Sequence, residues 1–272
     1  MMNWFNGALA TCGFELRRSF TLQRTAVSIV LAIFPPTMLG LLIFGSMFSG
    51  GNGQSVVLVQ EVSRLLILLM VSLVCLLSLM LWATPNVHSE LEGKSWSFVA
   101  SRPGGRISVF LGKFLAAYFV AFCISMIAIT FCVFIASSML GMPKPTGLWL
   151  SLSGVYLIAC GVYAAVFSLM GTLFIKRAMI VAAGYLFVSD IVLASIPGAL
   201  INKLTLRYHL QEIGISWIGW FLGGAQQEYR DIYGPPWPTW IHVVVLVGIA
   251  VLALVVGCRV IVNREYVISD ES

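Results

Sequence analysis

The side chains able to do chemistry are few and scattered. Asp190 lies inside an apolar run, 178–199, long enough to cross a membrane. An ionised side chain near a bilayer centre costs at least about 2.5–3.5 kcal/mol, so such a residue faces a bundle interior or a wet cavity and has a partner. Two readings of Asp190 stand side by side: a gating, substrate or subunit-contact position, and a structural hydrogen bond to Ser, Tyr or backbone of a neighbouring helix. His88-Ser89-Glu90 offers two ligand types on a loop, short of a metal site, and His209 and His242 stand far from it. The six cysteines, Cys12, Cys75, Cys123, Cys132, Cys160 and Cys258, form no C-x-x-C pair and fall mostly in apolar segments, where they read as small hydrophobes. There is no H-E-x-x-H and no G-x-S-x-G. The phosphate-cradling G-x-x-x-x-G-K-S/T is also missing: Gly112-Lys113 is followed by Phe114 and preceded by no correctly spaced glycine. The sequence therefore assigns no catalytic residue and no metal ligand, and any ATP used is hydrolysed by another polypeptide.

Composition explains the scarcity. Of 272 residues, 59% are hydrophobic and 10% charged, whereas a soluble domain carries about 25% charged residues. The solvent of this chain is largely lipid. Six spans are expected, at 26–48, 65–83, 114–136, 149–174, 178–199 and 241–258, each long enough for a hydrocarbon core of about 30 Å. Pro35-Pro36 should kink the first or end its first turn. Only Lys176-Arg177 separates spans four and five, which predicts a tight antiparallel hairpin. No cleavable signal is expected, because Glu15 and two arginines interrupt residues 1–24.

Basic residues set the orientation. With the N-terminus inside, the cytoplasmic segments hold Arg17, Arg18, Arg24, Lys94, Arg102, Arg106, Lys113, Lys176, Arg177, Arg259 and Arg264. The opposite side holds Arg64, Lys144, Lys203, Arg207 and Arg230. This asymmetry predicts that both termini are cytoplasmic. No basic face suited to nucleic acid is present.

Three non-spanning stretches position the rest. Over 4–24, Phe5, Leu9, Cys12, Leu16 and Phe20 recur at helical spacing while Glu15, Arg17 and Arg18 fall off the stripe, which describes a helix lying in the membrane interface against lipid headgroups. The loop 85–113 begins at Pro85, has Ser89 as a possible cap, carries acids in its first turns, and is broken by Pro103-Gly104-Gly105. The external segment 200–240 mixes apolar helical stretches with Trp, Tyr and Gly234-Pro235-Pro236, and is expected to pack as short helices against the outer mouth of the bundle. The fold class is an all-α polytopic membrane protein, one transmembrane domain over the whole chain.

The loop also carries a more specific pattern. Glu90-x-Glu92-Gly93-Lys94-Ser95-Trp96, Ser101-Arg102-Pro103, Arg106 and Leu111-Gly112-Lys113-Phe114 together resemble the signature of ABC-2-type transporter permeases. Ser189-Asp190, Ile196-Pro197-Gly198-Ala199-Leu200 and Tyr208-His209-Leu210 are similar to one bacterial branch of that family, and the layout of the whole chain matches. One departure is Gly93-Lys94-Ser95-Trp96, where the family favours G-T-L after the acids; the bulkier, basic Lys94 and Trp96 imply a partner ATPase with a matching groove.

The resemblance implies a permease subunit in the bacterial cytoplasmic membrane that binds no cofactor itself. A separate ABC-type ATP-binding subunit would carry ATP and Mg²⁺. The permease would pair with itself or a close relative, and export predominates in the family. Glu90, Glu92, Lys94 and Trp96 are then the candidate ATPase-coupling residues. A competing reading is a membrane scaffold or insertion factor that recruits partners on the same fold without moving a solute.

Overall fold

The computed structural model describes residues 3–19, 21–48, 72–85, 88, 90, 96, 104–140, 145–193, 202–222 and 237–264. Among them the regular structure is helical and no strand occurs. We number the helices α1 (Asn3–Ser19), α2 (Leu22–Phe48), α3 (Ser72–Ala83), α4 (Gly105–Leu140), α5 (Pro145–Leu173), α6 (Ala178–Leu186), α7 (Leu206–Leu222) and α8 (Thr239–Asn263). Among the described residues four stretches are long and apolar enough to cross a membrane: Leu22–Gly45, Gly105–Met139, Pro145–Leu173 and Thr239–Asn263. Large apolar side chains stay exposed along them, among them Phe119, Phe131 and Phe134 on α4 and Val244, Val251 and Leu252 on α8. Such continuous apolar surface suits lipid as the surrounding medium and marks a multi-pass membrane protein.

The core runs through the middle of α5, whose Leu152, Tyr156, Ala159, Cys160, Tyr163, Ala164 and Phe167 are buried against α3, α4 and α8. Small residues bring the helices close. A side chain at Gly171 would strike the Thr84 carbonyl at the end of α3, and one at Gly154 would meet the Trp217 ring of α7 at 2.8 Å.

Several element boundaries differ from the sequence expectation. Helix α2 runs unbroken through Pro35 and Pro36, neither ending nor starting there. Both prolines lie on its buried face with Ala32, Leu39 and Ile43, and the Thr37 hydroxyl donates to the Phe34 carbonyl at 2.8 Å beside the interruption. The prolines leave the carbonyls of Leu31 and Ala32 without their i+4 donors, a cost that packing against neighbouring helices offsets. The third span begins at Gly105, nine residues before the expected start at Phe114; α4 has 36 residues and is roughly 54 Å long. Hydropathy stops at the charges Arg106 and Lys113, but the backbone meets no breaker after the Gly104 turn. Gly104 adopts φ 72°, a conformation open chiefly to glycine, and accepts the Ser108 N–H that opens the helix.

The expected hairpin between spans four and five is a single 3₁₀ turn, Ile175–Arg177. The segment expected as span five starts as α6 and widens into a π-helix over Phe187–Val192. Residues 65–71 of span two and 194–199 of span five lie outside the described residues.

The ends of the bundle differ in charge. The end of α3, the start of α4, the 3₁₀ turn and the C-termini of α5 and α8 meet at one end, with α1 packed on α4 there. That end carries Arg17, Arg18, Arg24, Arg106, Lys113, Lys176, Arg177, Arg259 and Arg264, whereas the described basic residues towards the other end are Lys203 and Arg207.

Candidate functional site

At the basic end, α1 crosses the start of α4 through small residues. A side chain at Gly112 would meet the Ala8 carbonyl and Thr11 at 2.6 Å, and one at Gly7 would meet the Ser108 hydroxyl at 2.9 Å. The packed face of α1 is thus Gly7, Ala8, Thr11, Glu15 and Ser19, while Phe5, Leu9 and Phe14 are exposed. Of the apolar stripe read from the sequence, Phe5 and Leu9 are exposed, Cys12 and Leu16 are half-buried and Phe20 lies outside the described residues, while the face beside it makes the protein contact.

This crossing sets Glu15 one turn beyond Thr11 and against Lys113. The Lys113 ammonium, only 4% exposed, lies 3.4 Å from Glu15 Oε1 and 2.7 Å from Glu90 Oε1. Arg18 Nη1 stands 3.9 Å from the same Glu15 oxygen. Charges alternate along the chain Arg18–Glu15–Lys113–Glu90, so the desolvation of each is offset by an opposite neighbour. A small cleft with about 20 Å³ of open volume, lined by Glu15, Ser19, Arg24, Trp82 and Lys113, adjoins this node.

Trp96 is anchored nearby. Its indole is 4% exposed and packs with Phe110 of α4 and Ile261 of α8, with the Arg106 guanidinium 6.0 Å above the ring. Gly257 leaves room for the Phe110 ring, which any larger residue there would strike. Arg106 donates to the Val262 carbonyl at 3.0 Å and Arg264 to the Leu173 carbonyl at 2.7 Å. Both arginines thereby satisfy carbonyls that the ends of α8 and α5 leave open.

The four loop residues expected to couple to a partner therefore divide. Glu90 and Trp96 have their side chains turned into this chain, one on Lys113 and one on Phe110 and Ile261. Glu92 and Lys94 lie outside the described residues. The sequence placed Lys113 in the Gly-Lys motif and among the cytoplasmic basic residues, and Glu15 off the apolar stripe, without bringing the two together. A lysine in the third turn of a long apolar helix was the available signal, because such a charge requires a partner.

A second polar site lies within the bundle. Asp190 is 6% exposed and occupies the π-helix, where an offset backbone often accompanies function. Its Oδ2 accepts from the Tyr163 hydroxyl at 2.8 Å and its Oδ1 from Ser189 at 3.1 Å. The guanidinium of Arg207, at the start of α7, donates to the Asp190 backbone carbonyl. Further along the same face of α5, Cys160 Sγ is 3.1 Å from Cys75 Sγ and the Tyr156 hydroxyl is 3.0 Å from Ser72 Oγ. Tyr156, Cys160 and Tyr163 follow i, i+4, i+7 spacing, which was the sequence signal for this polar file. The hydrogen-bonded arrangement weighed for Asp190 is thus what the structure contains. Arg207 as its neighbour was not foreseen, since seventeen residues separate the two.

Comparison with family models gives no match, and comparison with curated proteins gives none either.

Proposed function

We propose that this chain is the membrane-spanning permease subunit of an ATP-binding cassette transporter. It has six spans and both termini in the cytoplasm, and ATP with Mg²⁺ acts on a separate subunit. The observation that carries the reading is the attachment of the 85–104 loop. This is the segment that bears the family-like motif, and it is bonded through Glu90 to Lys113 and packed through Trp96 on Phe110 and Ile261. A force applied to the loop passes at once to α1, α4 and α8, and rigid helices carry it into the bundle.

The sidedness of the basic residues supports this placement, since cytoplasmic segments collect Lys and Arg. The loop emerges at the basic end, where a cytoplasmic ATPase would meet it. Glu92 and Lys94 would then make the outward contact, while Glu90 and Trp96 relay it inward. Asp190 and the polar file along α5 are the candidate gating or substrate-facing groups. The permease would act as a homodimer or with a related chain in a bacterial cytoplasmic membrane, in the export direction.

The test is co-purification followed by reconstitution. The full chain, isolated from its native membrane, should bring down an ABC-type ATP-binding subunit, and adding the chain in liposomes should raise that subunit's ATP turnover. Glu92→Lys and Lys94→Glu should keep the protein folded and lose the stimulation. Recovery of a membrane partner with no ATP-binding subunit would overturn the reading in favour of the scaffold.

A further inference from the structure

At the end of the bundle away from Lys113, two buried imidazoles meet. His209 of α7 is 3% exposed and His242 of α8 is 1% exposed. Their Nδ1 atoms are 2.8 Å apart. A hydrogen bond at that distance needs one protonated and one bare Nδ1, so the pair shares a single proton. His242 Nε2 is buried with no hydrogen-bond partner among the described residues. A first added proton can settle on an outer Nε2 and leave an imidazolium–imidazole Nδ1–H···Nδ1 bond in place, but it buries a positive charge, and on His242 the Nε2–H so formed has no acceptor among the described residues. A second proton sets two Nδ1–H groups against each other and breaks the bond. Burying the charge and then losing the bond both oppose the closed joint.

The two rings sit among aromatic side chains. Tyr208 packs edge-on against both rings, at 5.4 Å and 5.8 Å between centroids, and Trp237 stacks on His242 at 6.1 Å. The Lys203 ammonium lies 5.6 Å from the Trp237 ring and adds positive charge on that side. Glu212 is one turn along α7, where it acts on Tyr208. Arg207 is engaged with the Asp190 carbonyl. Helix α5, packed against both helices, contains no Asp, Glu, His, Lys or Arg, and the described charges of α4 are Arg106 and Lys113 at the opposite end. Burial first, then the neighbouring His242, hold His209 below the ordinary histidine value, against an opposing hydrogen bond to the Lys203 backbone. A depressed value means that the joint is at full strength above about pH 6.5 and weakens as pH falls through the lowered value. A side-chain bond between Ser216 and Thr239 at 2.7 Å also joins the same two helices.

We propose that the His209–His242 pair is an acid-release latch: neutral, it holds the α7 segment against α8, and protonated, it lets that segment go. Helix α7 also carries Arg207, which touches the π-helix at Asp190. Release of the latch thus frees the element that reaches the polar site inside the bundle. The inference stands on this joint alone and does not depend on the transporter reading.

The chain has three histidines, so full-length protein with ¹⁵N-labelled imidazoles in phosphatidylcholine vesicles yields a small set of ring signals. At about pH 7.5 one paired ring should show a protonated Nδ1 and the other a bare one, and both should change together on acidification. Amide exchange over 206–217, divided by the intrinsic chemical rate at each pH, should rise about tenfold between about pH 7.5 and about pH 5. His209→Gln and His242→Phe, the latter keeping a ring beneath Trp237, should each remove that pH step. Two rings titrating independently near the ordinary value of about 6.5 would overturn the latch. A pH step that survives in both variants would do the same.

Discussion

The balance at Lys113 is decided by desolvation. A lysine 4% exposed is tolerable beside Glu15 and Glu90 because each carboxylate cancels part of its burial cost. Lys113→Met would leave two largely buried carboxylates facing each other, and unfolding in detergent should show a loss of about 3–5 kcal/mol. Adding Glu90→Leu to that variant should restore part of it, because the second uncompensated charge goes too; no recovery would mean that Glu90 and Lys113 do not interact. Asp190 allows a comparable distinction. Asp190→Asn keeps an oxygen for the Tyr163 hydroxyl and should change stability by less than about 1 kcal/mol, whereas Asp190→Leu strands that hydroxyl at a cost of about 1–3 kcal/mol. Transport unchanged in both variants would remove any functional role for the carboxylate and leave only the structural bond.

Between elements, the contact of α1 with α4 is the one most exposed to a single substitution. Gly112 lies against the Ala8 carbonyl with no room for another carbon. Gly112→Val should push α1 away, costing about 1–3 kcal/mol by overpacking. Cys12, half-buried on α1 with its thiol pushed up by burial, should then react with a maleimide several-fold faster, read by peptide mass spectrometry; an unchanged Cys12 rate would show that α1 keeps its seat. The helices also show where local signals mislead. Pro35-Pro36 was expected to kink the first span or end its first turn, and α2 stays helical through both prolines, which face a packed surface. Arg106 and Lys113 looked like the edge of a loop, yet they belong to α4, because Val262 and the two acids give them partners there.

At the scale of the molecule the decisive property is that the described basic residues gather mainly at one end and apolar flanks stay uncovered. The proposed orientation follows from that polarity. Single cysteines at Lys176 and at Trp237, in a background lacking the native cysteines, should label from opposite sides with a membrane-impermeant maleimide, Lys176 from the cytoplasm. Labelling of both from one side would invert or break the topology, and with it the location of the 85–104 loop.

Taken alone, the sequence determined the all-helical class, the membrane as solvent, the charge asymmetry, the short turn at Lys176-Arg177 and the isolation of Asp190. These are sums over composition and period, which local residues set without reference to distant ones. Tertiary structure decided the rest. That Glu15, Glu90 and Lys113 form one node, that Trp96 turns inward, that Arg207 reaches Asp190 and that His209 meets His242 all join residues far apart in the chain. No periodicity encodes such meetings. They arise because small residues such as Gly7, Gly112 and Gly154 set how closely the helices approach, and because buried ionisable groups such as Lys113 and Asp190 are held where partners from other segments reach them.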